Sequence, residues 1–281
     1  MTTPSSPISP TITSEWLLCP TYGHLNRRWT PFRHWTPYFA MGHAIHEAIE
    51  TTLKGTESDQ AILAAVTRLS MEYEEQDEWP LDTLEALLRK GIAAMLKKDG
   101  GLRYILDHEK VIGTEVKLGR EDAHPGEWDD ATADLITERG EDFIITDHKN
   151  SLKLEARYIQ RNLAESEVDW QLWDYAIRAQ QKYGRLVTHT RRHLIIFSPT
   201  AKSILHETRL NQDVLQSWYR GAQTEWDYIH SLRDKPLEEL PMRLPSCTTR
   251  YGRCKFWAAC HEANRDPEKM SMLYKPRDES L

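Results

Sequence analysis

No stretch of this 281-residue chain is apolar for long enough to cross a bilayer, so it offers no helical membrane anchor. Met1 to Pro10 lack the basic start and apolar core of a secretion signal. They are rich in Ser, Thr and Pro, and residues 1–12 read as a short disordered lead into a cytoplasmic protein, bacterial or phage-encoded. A G-x-x-x-x-G-K-[ST] phosphate loop is absent, which excludes an ATP-driven motor of that type. No internal repeat is apparent. Positive charge is not in excess either: 36 Lys and Arg face 43 Asp and Glu, for a net charge of −7. That balance argues against a nonspecific coat on nucleic acid. It leaves room for a site built from acids.

Cysteine is scarce. The four are Cys19, Cys247, Cys254 and Cys260. Without a secretion signal, disulfides are not expected. Three of the four crowd together with the spacing C-x6-C-x5-C. Clustered thiols in a reducing compartment point to a metal.

What the chain does have is ordinary globular content, 40% hydrophobic and 28% charged residues, enough for one large domain or a core with a helical insertion. Basic residues gather in two places, Arg27, Arg28, Arg33 and His34, and then Arg185, Arg191, Arg192 and His193. Thr13 or Ser14 can cap a short helix over Glu15 to Leu18, which Pro20 ends. From Met41 to Leu53, Ile45, Ile49 and Leu53 recur on one helical face, with His46 beside them and His43, Glu47 and Glu50 on the polar side. Residues 56–110 read as helices broken near Trp79-Pro80 and closed by Gly100-Gly101. Strands are predicted over Val111 to Leu118, Ala131 to Thr137, Asp142 to Asp147 and His193 to Phe197. The second and third of these form a hairpin at Arg139-Gly140-Glu141, and Glu121 to Asp130 is a loop. Helices follow over residues 168–183 and from Asn211 to Leu232. The fold class is therefore α/β in the α+β sense, a small mixed central sheet with an antiparallel meander, flanked by helices.

The segment Ile144-Ile145-Thr146-Asp147-His148-Lys149 carries the chemistry. On a strand, Asp147 and Lys149 share one face and His148 takes the other. Asp134 is the natural partner of Asp147 across the hairpin, and Glu115 sits on the strand before it. Paired carboxylates suit a divalent ion such as Mg2+ or Mn2+, and the carbonyl of His148 can add an oxygen. Lys149 is a compact cation fit to hold a phosphate or orient a water. Gln171 and Tyr175 fall on one helical face, and Arg178 and Lys182 continue it as a polar stripe able to line a DNA channel. Leu172, Ala176 and Ala179 form the packing face.

Together these segments resemble the PD-(D/E)XK nuclease superfamily, within it the RecB-like branch. Gly42-His43-Ala44-Ile45-His46 resembles that branch's G-x-x-x-H motif, Ala133-Asp134-Leu135-Ile136 its acidic motif, and Asp147-His148-Lys149 its D-x-K. Gln171 to Tyr175 resembles Q-x-x-x-Y, and Ser14 to Pro20 its N-terminal Cys-Pro region. The resemblance implies a restriction-endonuclease-like core, with His46, Asp134, Asp147 and the His148 carbonyl as metal ligands. It implies Asp134, Asp147, Lys149 and Glu115 as catalytic groups, and Gln171, Tyr175, Arg178 and Lys182 facing DNA. Several members hold a [4Fe-4S] cluster on one N-terminal and three C-terminal cysteines, a layout repeated by Cys19 with Cys247, Cys254 and Cys260. The commoner spacing there is C-x2-C-x5-C, so the first pair departs from it. Structural Zn2+ stays open on ligand type alone.

The implied organisation is a lead over 1–12, N-terminal helices over 13–55, a helical insertion over 56–110, a nuclease core over 111–235 and a cysteine segment over 236–281. Metal would clasp the two termini. The implied activity is a metal-dependent DNA exonuclease on single strands or ends, in recombination, replication or phage DNA metabolism. Relatives include AddB-type recombination subunits, single-strand exonucleases and CRISPR-adaptation nucleases. That last group leaves two further readings: a nuclease trimming DNA beside an integrase partner, or a non-cleaving DNA-end-binding module, with a recombination protein as another possible partner.

Overall fold

The computed structural model describes residues 10–31, 37–73, 79–119, 131–152, 155–198, 200–233, 235–249 and 252–276. The expected loop over 121–130, most of the expected lead, and Arg33 and His34 lie outside the described residues. In chain order, helices α1 (Pro10–Leu18) and α2 (Pro20–Arg28) and strand β1 (Trp29–Pro31) come first. Helices α3 (Pro37–Leu53), α4 (Ser58–Glu72), α5 (Leu81–Leu96) and α6 (Gly101–His108) follow. Next are strands β2 (Lys110–Lys117), β3 (Thr132–Arg139) and β4 (Asp142–Ser151) and helices α7 (Ala156–Ser166) and α8 (Trp170–Tyr183). Strands β5 (His189–Ile196) and β6 (Lys202–Arg209) lead into helix α9 (Gln212–Arg233). The C-terminal part carries β7 (Thr248–Thr249), β8 (Gly252–Arg253), α10 (Trp257–His261), α11 (Pro267–Ser271) and β9 (Tyr274–Pro276). Among the described residues no helix is long and apolar enough to cross a membrane.

Two compact units share the chain. One holds residues 35–119 and 131–215, the other 1–34, 120–130 and 216–281. The division cuts across the segment expected over 13–55, so Cys19 falls in one unit and His46 in the other.

The first unit is built on a five-stranded mixed sheet of order β2-β3-β4-β5-β6. Strands β2, β3 and β4 form the expected antiparallel meander, β5 joins β4 in parallel, and β6 closes the edge antiparallel to β5. The central strand β4 is buried from Phe143 to His148, as expected of a strand covered on both faces. It runs to Ser151, past the expected end at Asp147, because β5 supplies backbone partners from Ile144↔His189 through Ser151↔Ile196. Helix α3 starts at Pro37, where a missing N–H costs nothing, and buries Ala40, Met41, Ala44, Ile45, Ala48 and Ile49. With α4, α5 and the end of β5, it forms the main apolar core. Gly91 permits that packing, since a Cβ there would lie 2.2 Å from the Phe197 ring.

The second unit joins α1 and α2 to the C-terminal elements. Strand β1 pairs antiparallel with β9, from Trp29↔Pro276 to Pro31↔Tyr274. Its core cluster gathers Leu25, Phe256, Ala259, Ala263, Met270 and Tyr274.

Candidate active site

His46, Glu115 and Asp134 each bring one ligand atom to within 4.8 Å of the others. Helix α3 delivers His46 from the edge of its buried stripe. The imidazole Nδ1 lies 3.4 Å from a Glu115 carboxylate oxygen, and Nε2 lies 3.2 Å from the His148 carbonyl and 3.9 Å from Asp134. All three neighbours offer an oxygen that a ring N–H can reach. Burial alone lowers the His46 pKa. The Glu115 hydrogen bond, the Asp134 and Glu115 charges and the His148 carbonyl outweigh it and raise the pKa to about 9. Asp134 is raised to about 7 by burial and then by the Asp147 charge, against the pull of His46, the His148 N–H and Lys149. His148 N donates to Asp134 at 2.6 Å. A shell of acceptors around one imidazole is a place for a cation.

Glu115 reaches this group from an unusual backbone. Its φ of 47° lies in the left-handed region, rare for a residue with a side chain. The register between β2 and β3 also slips between Val111 and Gly113. Sheet irregularity of this sort re-aims side chains beside active sites.

Asp147 has a different environment. Its carboxylate is fully buried and accepts from Lys149 Nζ at 2.8 Å and from Arg192 at 2.8 Å. Lys149 Nζ also donates to Gln171 Oε1 at 3.2 Å, and Gln171 Nε2 donates to the Tyr175 hydroxyl at 2.6 Å. Arg192 stands opposite Asp147 in the parallel pair of β4 and β5. Its other amino group bonds Asp169, whose second oxygen caps α8 by accepting from the N–H groups of Gln171 and Leu172. Arg192 thereby ties the Asp147 strand to the Gln171 helix.

Behind the site, His148 Nδ1 and His193 Nδ1 lie 2.9 Å apart. His193 Nε2 meets Ser203 Oγ at 2.8 Å, and Gly101 N donates to that same oxygen at 2.9 Å. Burial first, then neighbouring positive charge, depresses both imidazoles, with His193 at about 3, so both are neutral. One consistent proton order runs from Gly101 N–H through the Ser203 hydroxyl and His193 to His148, fixing the strand whose backbone serves the acids.

The sequence-predicted residues are therefore brought together in part. His46, Asp134, Glu115 and the His148 carbonyl converge. Asp147 contacts Lys149 and Arg192 and stands outside the three-residue ligand group. Gln171 and Tyr175 reach inward to Lys149. Arg178 departs from expectation: it is 3% exposed and gives its guanidinium to Asp174 at 2.8 Å, so it cannot line an open channel. Lys182 is exposed at the far end of α8 and donates to the Lys117 carbonyl. In the second basic group only Arg185 is exposed, paired with Glu138. Arg191 is buried between Glu109 and Glu207, Arg192 between Asp147 and Asp169, and His193 against His148. Sequence reasoning missed Arg192 and Asp169 as site residues. Asp169, a good cap just before a helix, was the one available signal.

In the second unit, Cys19, Cys247, Cys254 and Cys260 line one small cavity with Tyr22, Phe256 and Trp257. Burial first, then the neighbouring thiols, raises Cys260 to about 11 and also raises Cys247. Cys254 moves the same way.

A family model for the PD-(D/E)XK nuclease superfamily matches residues 8–261, and the chain belongs to that superfamily. Among solved structures, a protein of Eubacterium rectale named "Putative exonuclease" is 12% identical, with 93% of this chain and 88% of that chain covered at a TM-score of 0.53. That likeness shows the fold. A second, SSO0001, is 14% identical over 73% of this chain and 90% of that one, at a TM-score of 0.27 too low for argument. A search of curated protein sequences found no match.

The proton-bearing acid group predicts a pH dependence. Asp134 and His46 both hold their protons more tightly folded than unfolded, so their contribution to stability is full at low pH. It is lost as pH rises through about 7 for Asp134 and about 9 for His46. A divalent ion displaces those protons, so it binds more tightly over the same window. Thermal melts with and without Mn2+ should show a metal-induced rise in Tm that grows from pH ~6 to ~9. A rise that is equal at both ends counts against the ligand group.

Arg192 predicts a second outcome. Arg192→Leu strands two carboxylates, Asp147 fully buried and Asp169 partly exposed, and should lower unfolding free energy by about 3–5 kcal/mol in urea titrations. Arg192→Lys keeps the charge without the two-pronged reach and should fall between. A loss under about 1 kcal/mol for Arg192→Leu would remove Arg192 from this role.

Proposed function

We propose that the protein is a divalent-metal-dependent deoxyribonuclease that removes nucleotides from DNA ends or single strands in the cytoplasm. One observation carries the reading: three potential ligand side chains from separate elements, His46, Glu115 and Asp134, meet beside the Asp147 and Lys149 pair. His46, Glu115, Asp134 and the His148 carbonyl would hold the ion, and an oxygen-rich shell with one imidazole suits Mg2+ or Mn2+. When bound, such an ion supplies Lewis acidity and a water that ionises near neutral pH. Lys149 holds a proton-rich Nζ where a phosphate oxygen would sit, steered by Asp147 on one side and Gln171 on the other. Tyr175 fixes the Gln171 amide so that its oxygen, not its nitrogen, faces the ammonium.

The same reading gives the cysteines a structural [4Fe-4S] cluster of the RecB-like branch. The donor set fits, with four thiols around one cavity and no disulfide among them. Structural zinc would use the same four thiols, and the bound metal itself separates the two readings.

Cleavage of end-labelled single- and double-stranded DNA, with and without Mn2+, tests the activity. Asp134→Ala, Asp147→Ala and Lys149→Ala should each lose at least about a hundredfold in rate, the scale of a lost charge-stabilising group. Full activity in Asp147→Ala would falsify the assignment. Anaerobically purified protein should be brown, and Cys19→Ser should lose the colour as surely as Cys254→Ser. Colourless protein with stoichiometric zinc would leave the clasp and remove the cluster.

A further inference from the structure

Helix α3 has a buried apolar face and an opposite face that is partly exposed. Ala40, Met41, Ala44, Ile45, Ala48 and Ile49 pack inward. The other face borders a cavity of about 590 Å3, reached by His46, Glu115 and Lys149 of the candidate site. His43, Glu47, Glu50 and Arg68 line it too, so its charge is mixed. At the first turn of that face stands Phe39, 63% exposed and outside the apolar core. A singly exposed aromatic is common on any protein. This one shares a cavity and a helix face with His46, seven residues or two turns away, about 10 Å along the axis.

Two neighbours complete the feature. Gly42 lies between Phe39 and His46 on the same wall. A Cβ at Gly42 would come within 2.9 Å of the Asn150 side-chain nitrogen, so glycine here keeps the cavity open beside that amide. Asn150 follows Lys149 on β4, is half-buried and borders the same cavity. Its carboxamide hydrogen-bonds none of the described residues. A flat aromatic face, an available amide and a gap without a side chain make a slot for something planar, uncharged and rich in hydrogen-bonding edges. Phe39, Gly42 and Asn150 carry no charge to hold a phosphate, and Arg68 is paired with Glu72, which leaves the phosphate to Lys149.

We propose that Phe39, Gly42 and Asn150 form a subsite for an unpaired nucleobase, stacked on the Phe39 ring with its edge toward the Asn150 carboxamide, a nucleotide or two from the scissile phosphate. A base inside a duplex has both faces covered by its neighbours, so only an unpaired one can use this ring. The subsite makes the enzyme select single strands over duplexes. It rests on the nuclease reading of the adjoining acids.

Steady-state cleavage of labelled oligonucleotides tests it. Phe39→Ala should raise KM on single-stranded DNA about tenfold, the usual worth of one base–aromatic stack, and leave any cleavage of duplex unchanged. Phe39→Trp should keep the wild-type KM. Because Phe39 is exposed, the Tm of both variants should match wild type. An abasic unit walked along the strand should reproduce the tenfold loss at one position in wild type and add nothing there in Phe39→Ala. Asn150→Ala should weaken single-strand binding by a smaller factor at that same position. Wild-type KM in Phe39→Ala, or losses that multiply with every abasic position, overturn the subsite while the nuclease reading stands. Cleavage confined to duplex overturns the subsite too. A wild-type protein inactive on every DNA overturns both.

Discussion

A carboxylate with no access to water must be neutralised where it stands, and Asp147 is such a group. The fold meets this demand twice over. Lys149, two residues along the same strand, takes one oxygen, and Arg192, directly opposite on β5, takes the other. That second contact exists only because β4 and β5 run parallel in one register. A shift by one residue would turn Arg192 to the other face of the sheet and leave one Asp147 oxygen without its partner. Asp169 then holds the far side of Arg192 and caps α8, so helix, strand and charge are set by a single chain of bonds. The placement of Gln171 and Tyr175 against Lys149 follows from that chain.

The other acids behave in the opposite way. Asp134 and Glu115 have no arginine or lysine bonded to them among the described residues; Asp134 accepts from the His148 N–H, and the half-buried His46 lies near both acids. Glu115 is held there on a backbone conformation that costs about 1–3 kcal/mol. The protein therefore discharges one acid internally and leaves a second group short of positive charge a few ångströms away. That asymmetry explains how one site can be rigid and still receive a cation. The Asp147 bonds fix the frame, and the Asp134 group, with protons in place of metal, keeps an exchangeable charge.

How much of this was legible in the sequence depends on which interactions are local. The α3 stripe of Ile45, Ile49 and Leu53, the alternation at Asp147 and Lys149, and the meander around Gly140 are short-range patterns, and their elements formed as expected. Helix α7 and strand β6 were missed. The exposed, polar α7 and the edge strand Lys202–Arg209 carry weak apolar signals, the latter without a fully buried residue. Arg178 was expected on a DNA-facing stripe, and Arg191 and Arg192 were noted only as part of a basic group, because a basic residue looks the same in sequence whether it faces solvent or a buried acid. Their partners Asp174, Glu109, Glu207 and Asp147 became visible only through tertiary pairing. The departure of Glu115 into positive φ has no sequence signature, since glycine would be the usual occupant.

Around the thiols the packed side chains are few: Phe256 and Tyr274 with Leu25, Ala259, Ala263 and Met270, and Cys254 and Cys260 lie against them. The larger buried side chains of this unit, Trp16 and Trp226, belong to other elements of it. The chain supplies this unit from residues 1–34 and 216–281, far apart in sequence, so its loop-closure entropy is large. The proposed thiolate-bound cluster, linking Cys19 to Cys247, Cys254 and Cys260, would offset that cost. It also relieves the raised thiol pKa values, since a metal stabilises the thiolate that burial disfavours. The proposed cluster would thus act first on the folding of its own unit.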